Sequence, residues 1–265
     1  SGKDFCRFPD SGNNGPMMKK SLLALAIGGF GLGMTEFAIM GVLPDVAGGL
    51  GVSIPEAGHF ISAYALGVGV GAPTLILLTR NKSPKKVLLG LIVLFAVFNA
   101  ASAFSVGYVS MLIFRFLAGL PHGAYFGVGS VVAKHLAGQG KGARAVSVMF
   151  AGLTVANLLG VPLGTYVGNA FSWRYTFILV GIWGLFTWFV LYRWIPAVPR
   201  AENTNLRKQF AFLNSSAPWI LMAVATLGNA ALFTFYSYIT PLMTHVAGFA
   251  ERNVIWIMVL GGLGM

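Results

Sequence analysis

The sequence predicts an all-α polytopic membrane protein, an N-terminal six-helix bundle followed by the start of a second bundle. Three observations predict it. Hydrophobic residues make up 56% of the 265 and charged residues only 9%, against roughly 25% charged in a soluble domain. Apolar runs long enough to cross a bilayer recur along the chain. Basic residues crowd into every second connection between those runs.

The runs fall at 21–43, 57–79, 87–105, 108–136, 145–170, 173–195 and 217–244, with an eighth begun near 253. Lipid cannot hydrogen-bond a backbone, so each run is a helix or a barrel strand, and continuous apolar character excludes the alternation of a barrel. The first follows the basic pair Lys19 and Lys20; the second and third flank the connection "LLTRNKSPKKVLL". In the fourth, Gly119, Gly123 and Gly127 recur every four residues, and the fifth repeats that step with Gly152, Ala156, Gly160, Gly164 and Gly168. Steps of four trace a slowly turning stripe along one helix face. Small residues there admit a neighbouring backbone, so tight helix packing is the first reading of these glycines. Pro73, Pro121, Pro162 and Pro241 each interrupt hydrogen bonding in a different span and mark candidate kinks.

The net charge of +11 reports topology rather than a nucleic-acid partner. Thirteen basic residues, Lys19, Lys20, Arg80, Lys82, Lys85, Lys86, Lys134, Lys141, Arg144, Arg193, Arg200, Arg207 and Lys208, lie on the N-terminal flank and alternate connections. The other connections hold only Arg174 and Arg252, beside Asp45, Glu56 and Glu251. The positive-inside rule then places the N-terminus in the cytoplasm and runs the first helix outward.

Residues 1–16, "SGKDFCRFPDSGNNGP", are polar and unpatterned and precede a natural membrane-protein start, "MMKKSLLALAIGG", so they read as a non-native leader. The one cysteine, Cys6, lies there, which leaves no disulfide or metal framework. The eighth run stops about thirteen residues in, short of the ~20 a crossing needs, and reads as a C-terminal truncation. Residues 17–195 form the expected six-helix bundle, 196–216 a basic, proline-containing cytoplasmic linker, and 217–265 the start of the second bundle. Two six-helix halves are a common transporter plan.

Two charges stand well inside spans. Glu36, in "FGLGMTEFAIMGVLP", is the only acid within any span, and Arg115 the only base deep in one. Each lies about seven residues, roughly 10 Å, from the same end of its helix, so the two share a level. Pairing is the usual way a membrane interior tolerates both. A carboxylate there that takes and loses a proton as its surroundings alternate is the functional reading; a fixed structural ion pair is the other. His122 falls on nearly the same face as Arg115, two turns deeper.

"MTEFAIMGVLP", "RFLAGLPHGAYFGVG", "GLTVANLLGVPLGTYVG" and "SWRYTF" resemble the major facilitator superfamily, in its drug and sugar proton-antiporter branch, and most of all the bacterial arabinose-inducible efflux permease group. The resemblance covers residues 17–265. It implies a twelve-helix fold of two bundles that opens alternately to either side. It also implies that Arg115, with Gly119 and Gly123, belongs to a proton-coupling motif, that Gly160, Pro162 and Gly164 form the antiporter motif, and that Glu36 matches the acid of helix one in related efflux proteins. The loop between helices two and three departs from the family pattern. Arg80 stands where an aspartate is expected, although Lys85 and Lys86 keep the positive charge, and a basic loop there also suits anionic headgroups.

The expected function is proton-coupled efflux of a sugar such as arabinose, or of small drug-like compounds, by a monomer in the bacterial inner membrane. Asn157 in the fifth span and Asn229, Tyr236 and Tyr238 in the seventh are candidate substrate-side residues. An uncoupled facilitator, or a fragment that transports nothing, is the alternative. No nucleotide-binding loop, metal-ligand cluster or catalytic constellation is present in the sequence, so neither an enzyme nor a bound cofactor is expected.

Overall fold

The computed structural model describes residues 15–138, 140–199, 214–250 and 253–264, and every regular element among them is helical. Cys6, Arg200, Arg207, Lys208, Glu251, Arg252 and most of the leader and linker lie outside the described residues. In chain order the helices are α1 Gly15–Gly41, α2 Leu43–Leu50, α3 Ile54–Thr79, α4 Pro84–Ala103, α5 Tyr108–Ala137, α6 Gly142–Val155, α7 Val161–Ala170, α8 Trp173–Trp194, α9 Ser216–Ser237 and α10 Val254–Gly264. A π-helical turn, Ala156–Gly160, joins α6 to α7 as one span. Among the described residues seven helices are long and apolar enough to cross a membrane, so the seven expected complete spans are present with their ends moved.

Capping explains one shift at a helix start. α3 begins at Ile54, ahead of its apolar run, because the Ser53 side chain accepts from the Glu56 amide at 3.3 Å while the Glu56 carboxylate accepts from the Ser53 amide at 2.7 Å. That reciprocal pair satisfies two end groups with polar residues a hydropathy count leaves out. The first run does not continue through Pro44: α1 stops at Gly41 and α2 restarts with Pro44 in its first turn. The expected continuous helix over 217–244 also breaks. α9 ends at Ser237, and the chain continues through Ile239–Pro241 into a second π-helical turn, Leu242–Val246.

Proline sits beside both π turns. Pro162 follows the first and Pro241 precedes the second, whereas α3 and α5 stay continuous through Pro73 and Pro121. A residue without an N–H forfeits one i→i−4 bond, and a wider turn re-pairs its neighbours. The Val161 amide reaches back to the Ala156 carbonyl in this way.

The glycine stripes are packing seams. A Cβ on Gly119 meets the Tyr64 carbonyl, and one on Gly123 meets Ala72 and Val68, which presses α5 against α3. On the fifth span, Gly152 faces the Ala26 carbonyl, Gly160 faces Phe30, Gly164 faces Ala38 and Gly168 faces Val42, so that stripe lies along α1. Close backbone approach supplies the dispersion contact that packs helices in lipid.

Two apolar cores result. One holds Leu25, Leu91, Phe95, Val132, Met149 and Leu191; the other holds Phe37, Met40, Phe60, Met111, Phe177 and Met258. At the first core's end, Ser21 donates to the Trp194 carbonyl at 2.6 Å and Lys85 to the Tyr192 carbonyl at 2.9 Å. A lysine ammonium on the last turn of α8 complements the carbonyl end of a helix. At the second core's end, Arg174 closes α4 by donating to the carbonyls of Ala103 at 2.5 Å and Ser105 at 2.9 Å.

Candidate functional site

A polar layer separates the two cores, and four spans build it. Arg115 of α5 is fully buried. One terminal nitrogen donates to the Thr35 hydroxyl at 3.2 Å and the other to the Thr35 carbonyl at 3.3 Å. The guanidinium also lies 4.3 Å over the Tyr64 ring of α3 and 5.7 Å from the Phe177 ring of α8. Thr35 in turn hydrogen-bonds Asn99 of α4, whose amide donates to the Phe95 carbonyl at 2.8 Å. Hydroxyl, carbonyl and ring faces hold this cation, and among the described residues no carboxylate is in ion-pair contact with it.

Glu36 takes a different partner from the one its depth suggests. Among the described residues it forms no ion pair with Arg115; its Oε2 lies 3.9 Å from Nε2 of His122. The other imidazole nitrogen, Nδ1, is 2.7 Å from the Tyr64 hydroxyl. The reason is helix rotation. Successive residues point about 100° apart, and α1 turns Thr35 toward Arg115, which leaves Glu36 beside His122. The Glu36 side chain is 20% exposed, while Tyr64 and Arg115 are buried. The Glu36 carboxylate thus stands at the rim of a buried imidazole and phenol, beyond direct hydrogen-bond distance of the imidazole.

The remaining predicted residues separate into groups. Asn157 is buried in the π turn of the fifth span, where Gly262 of α10 abuts its carbonyl. Gly160, Pro162 and Gly164 are buried on either side of the junction between that turn and α7. Tyr236 is buried against Phe37, with ring centroids 5.8 Å apart, and Tyr238 leans on Gly58 while staying partly exposed. Asn229 stands apart on an exposed face of α9, donating to the Ala225 carbonyl of its own helix at 2.8 Å. Arg80 and Lys86 are exposed, and Lys85 of that loop reaches α8 at the Tyr192 carbonyl. Tyr64, Thr35 and Asn99 complete the layer without having been singled out in the sequence. Asn99 carried a signal, a lone amide inside "LIVLFAVFNAASA"; Tyr64 carried none. Among the described residues no group of three or more His, Cys, Asp or Glu stands ready for a metal ion.

Residues 25–265 match the Major Facilitator Superfamily. The chain belongs to this superfamily. AraJ of Escherichia coli (strain K12) is 48% identical over 248 residues, 94% of this chain and 63% of its own length. The inner membrane transport protein YdhP of the same organism is 41% identical over 245 residues, covering 92% and 62%. A chloramphenicol resistance protein of Streptomyces lividans is 32% identical over 251 residues, covering 93% and 64%. This superfamily chain therefore spans a little under two thirds of these relatives. Its fold matches a bacterial homolog of the human lysosomal transporter Spinster, solved inward-facing and unoccupied, with a TM-score of 0.75 at 16% identity over 95% of this chain and 62% of that one. A D-xylose-proton symporter matches with a TM-score of 0.69 at 16% identity over 92% and 66%. The superfamily is one of multi-pass membrane transporters.

Proposed function

We propose that the protein this chain belongs to is a monomeric secondary transporter of the bacterial inner membrane, with a cytoplasmic N-terminus. It exports a sugar such as arabinose, or a small drug-like compound, in exchange for protons by alternating access. One observation carries the reading: Glu36, among the described residues the only acid deep inside a span, lies 3.9 Å from His122 in a buried polar layer between two apolar cores. An intramembrane acid with a titratable partner and partial exposure marks a proton path. Glu36 takes up and releases the proton, His122 passes it, and Arg115 supplies the fixed positive charge against which it moves. The resistance protein among the relatives favours export.

Residues 17–195 act as one six-helix bundle and 217–265 as the start of the second, joined by the linker 196–216. Tyr236, Tyr238, Asn157 and Asn229 are assigned to the substrate side in this reading; the contact of Tyr236 and Tyr238 with the first bundle at the second core supports it for those two, while Asn229 stands on the exposed face of α9. Gly160, Pro162 and Gly164 frame the π turn as the antiporter motif. Arg80, Lys85 and Lys86 hold the cytoplasmic loop against anionic headgroups.

The test is proton flux in proteoliposomes holding the full-length transporter under an imposed pH gradient. Arabinose and then a panel of lipophilic drugs are added to wild type and to Glu36→Gln. Flux evoked by one class and lost in the variant establishes antiport through Glu36 and names the substrate class. Substrate movement with no proton flux in either protein establishes an uncoupled facilitator instead.

A further inference from the structure

Tyr64 makes two contacts that no other residue of the polar layer combines. Its ring lies under the Arg115 guanidinium, 4.3 Å from the centroid, and its hydroxyl is 2.7 Å from Nδ1 of His122. The side chain is only 2% exposed, and its backbone carbonyl is backed by Gly119, so it has little room to turn. The far nitrogen of the same imidazole, Nε2, faces Glu36 at 3.9 Å. The ionisable groups around the imidazole are thus Glu36 from α1, Tyr64 from α3 and Arg115 from its own helix.

We infer that Tyr64 is a positioning residue whose hydroxyl sets the tautomer of His122 and thereby decides which form of Glu36 the imidazole meets. This deepens the proton-coupled reading above and rests on it. The argument is one of donors and acceptors. A neutral imidazole has one N–H and one lone pair, and a partner at one nitrogen dictates the state of the other. When the Tyr64 O–H donates to Nδ1, the proton sits on Nε2 and points at an ionised Glu36 carboxylate. When Glu36 is protonated and its carboxyl closes the 3.9 Å to Nε2, its own O–H donates there, the imidazole proton sits on Nδ1, and the Tyr64 oxygen accepts it. A phenol serves both arrangements because it donates and accepts. The second arrangement holds one proton more than the first, the one Glu36 takes up from water at its exposed edge; the imidazole keeps a single hydrogen, on Nδ1 instead of Nε2, and the phenol keeps its own, rotated away from Nδ1. Because the same ring carries Arg115, a displacement of α3 against α5 alters the cation contact and the His122 hydrogen bond together.

Tyr64→Phe isolates the hydroxyl, since it keeps the ring under Arg115 and the packing against Gly119. Two measurements on the full-length transporter decide the matter. The first is ¹⁵N NMR of histidine-labelled protein, with the His122 signal identified by its loss in His122→Gln. Wild type is expected to show one predominant tautomer above neutral pH and Tyr64→Phe a mixture; identical spectra overturn the proposal. The second is substrate-evoked proton flux, expected to fall about tenfold or more in Tyr64→Phe, the usual cost of losing a group that orients a functional histidine. Its pH profile is expected to move, and the fall to vanish when His122→Gln is already present. Losses that simply add, or a profile superimposed on wild type, reduce Tyr64 to packing and overturn the proposal. Should wild type carry no evoked flux, the transport reading falls, and the NMR comparison still decides whether Tyr64 sets the tautomer.

Discussion

The Arg115 guanidinium straddles Thr35, meeting its hydroxyl at 3.2 Å and its carbonyl at 3.3 Å from the two terminal nitrogens. The residue it grips is the immediate neighbour of Glu36, so the cation and the carboxylate are fixed to the same turn of α1 without touching. A planar fork with two donor nitrogens and a stacking face makes this arrangement; a point charge does not.

Arg115→Lys is therefore expected to be a damaging change despite keeping the charge. An ammonium cannot reach both Thr35 acceptors and lie flat on Tyr64, and a buried acceptor left unsatisfied costs about 1–3 kcal/mol. The thermal midpoint of the purified protein in detergent should drop clearly, and Thr35→Ala should lower it by less because the backbone carbonyl stays. A lysine variant as stable as wild type would show that charge alone holds α5 to α1.

Depth was legible in the sequence and rotation was not. Counting residues from the helix ends put Glu36 and Arg115 on one level, and the structure agrees to within one residue: Arg115 meets Thr35. Which of two adjacent residues faces a neighbour depends on the azimuth of the helix, and α1 is apolar on all sides, so no amphipathic face orients it. The glycine stripes were legible because a repeat of four needs no azimuth to imply a seam, only a partner, and α1 and α3 are those partners. The π turns at Ala156–Gly160 and Leu242–Val246 were not legible. Four prolines occur inside spans and only two sit beside such a turn, so a proline alone does not mark one. Tyr64 escaped notice for a related reason: a tyrosine in an apolar run has no local mark that its hydroxyl will find a histidine 58 residues away.

Two glycines near this site should respond to alanine with opposite signs. A methyl on Gly119 meets the Tyr64 carbonyl and the Val68 amide at 3.1 Å, both backbone, so α3 and α5 must separate. Overpacking of this kind costs about 1–3 kcal/mol. A methyl on Gly69, on the exposed side of α3, meets nothing within 4 Å, and alanine there should gain about 0.5–1 kcal/mol of helix stability. Thermal midpoints of Gly119→Ala and Gly69→Ala against wild type test both at once. Equal shifts would mean that neither the close approach nor the open face exists in the protein as it stands in detergent.

Thr240 tests how the second half is held to the first. Its side chain is buried, and its hydroxyl donates to the Met40 carbonyl at 2.9 Å, with the Gly41 carbonyl at 3.4 Å. α1 ends at Gly41, so these carbonyls have lost their intrahelical partners and Thr240 supplies one from outside the bundle. Around it Phe37 packs on Phe233 and against the edge of Tyr236, at 5.3 and 5.8 Å. Most of α9 beyond this point is exposed, so the halves meet at the second core's end and along α10, where Gly262 packs on Asn157. Thr240→Val keeps the shape and removes the donor, leaving the carbonyls unsatisfied at about 1–3 kcal/mol. The aromatic contacts remain, so the contact weakens without dissolving. Since about 1.4 kcal/mol is a tenfold change in a two-state equilibrium, the separated arrangement should become populated. Spin labels at the exposed positions Glu56 and Val246 report it as a longer component in their distance distribution, present in Thr240→Val and absent in wild type and Thr240→Ser. A single unchanged distance in all three would assign the closure of that end to the aromatic cluster alone.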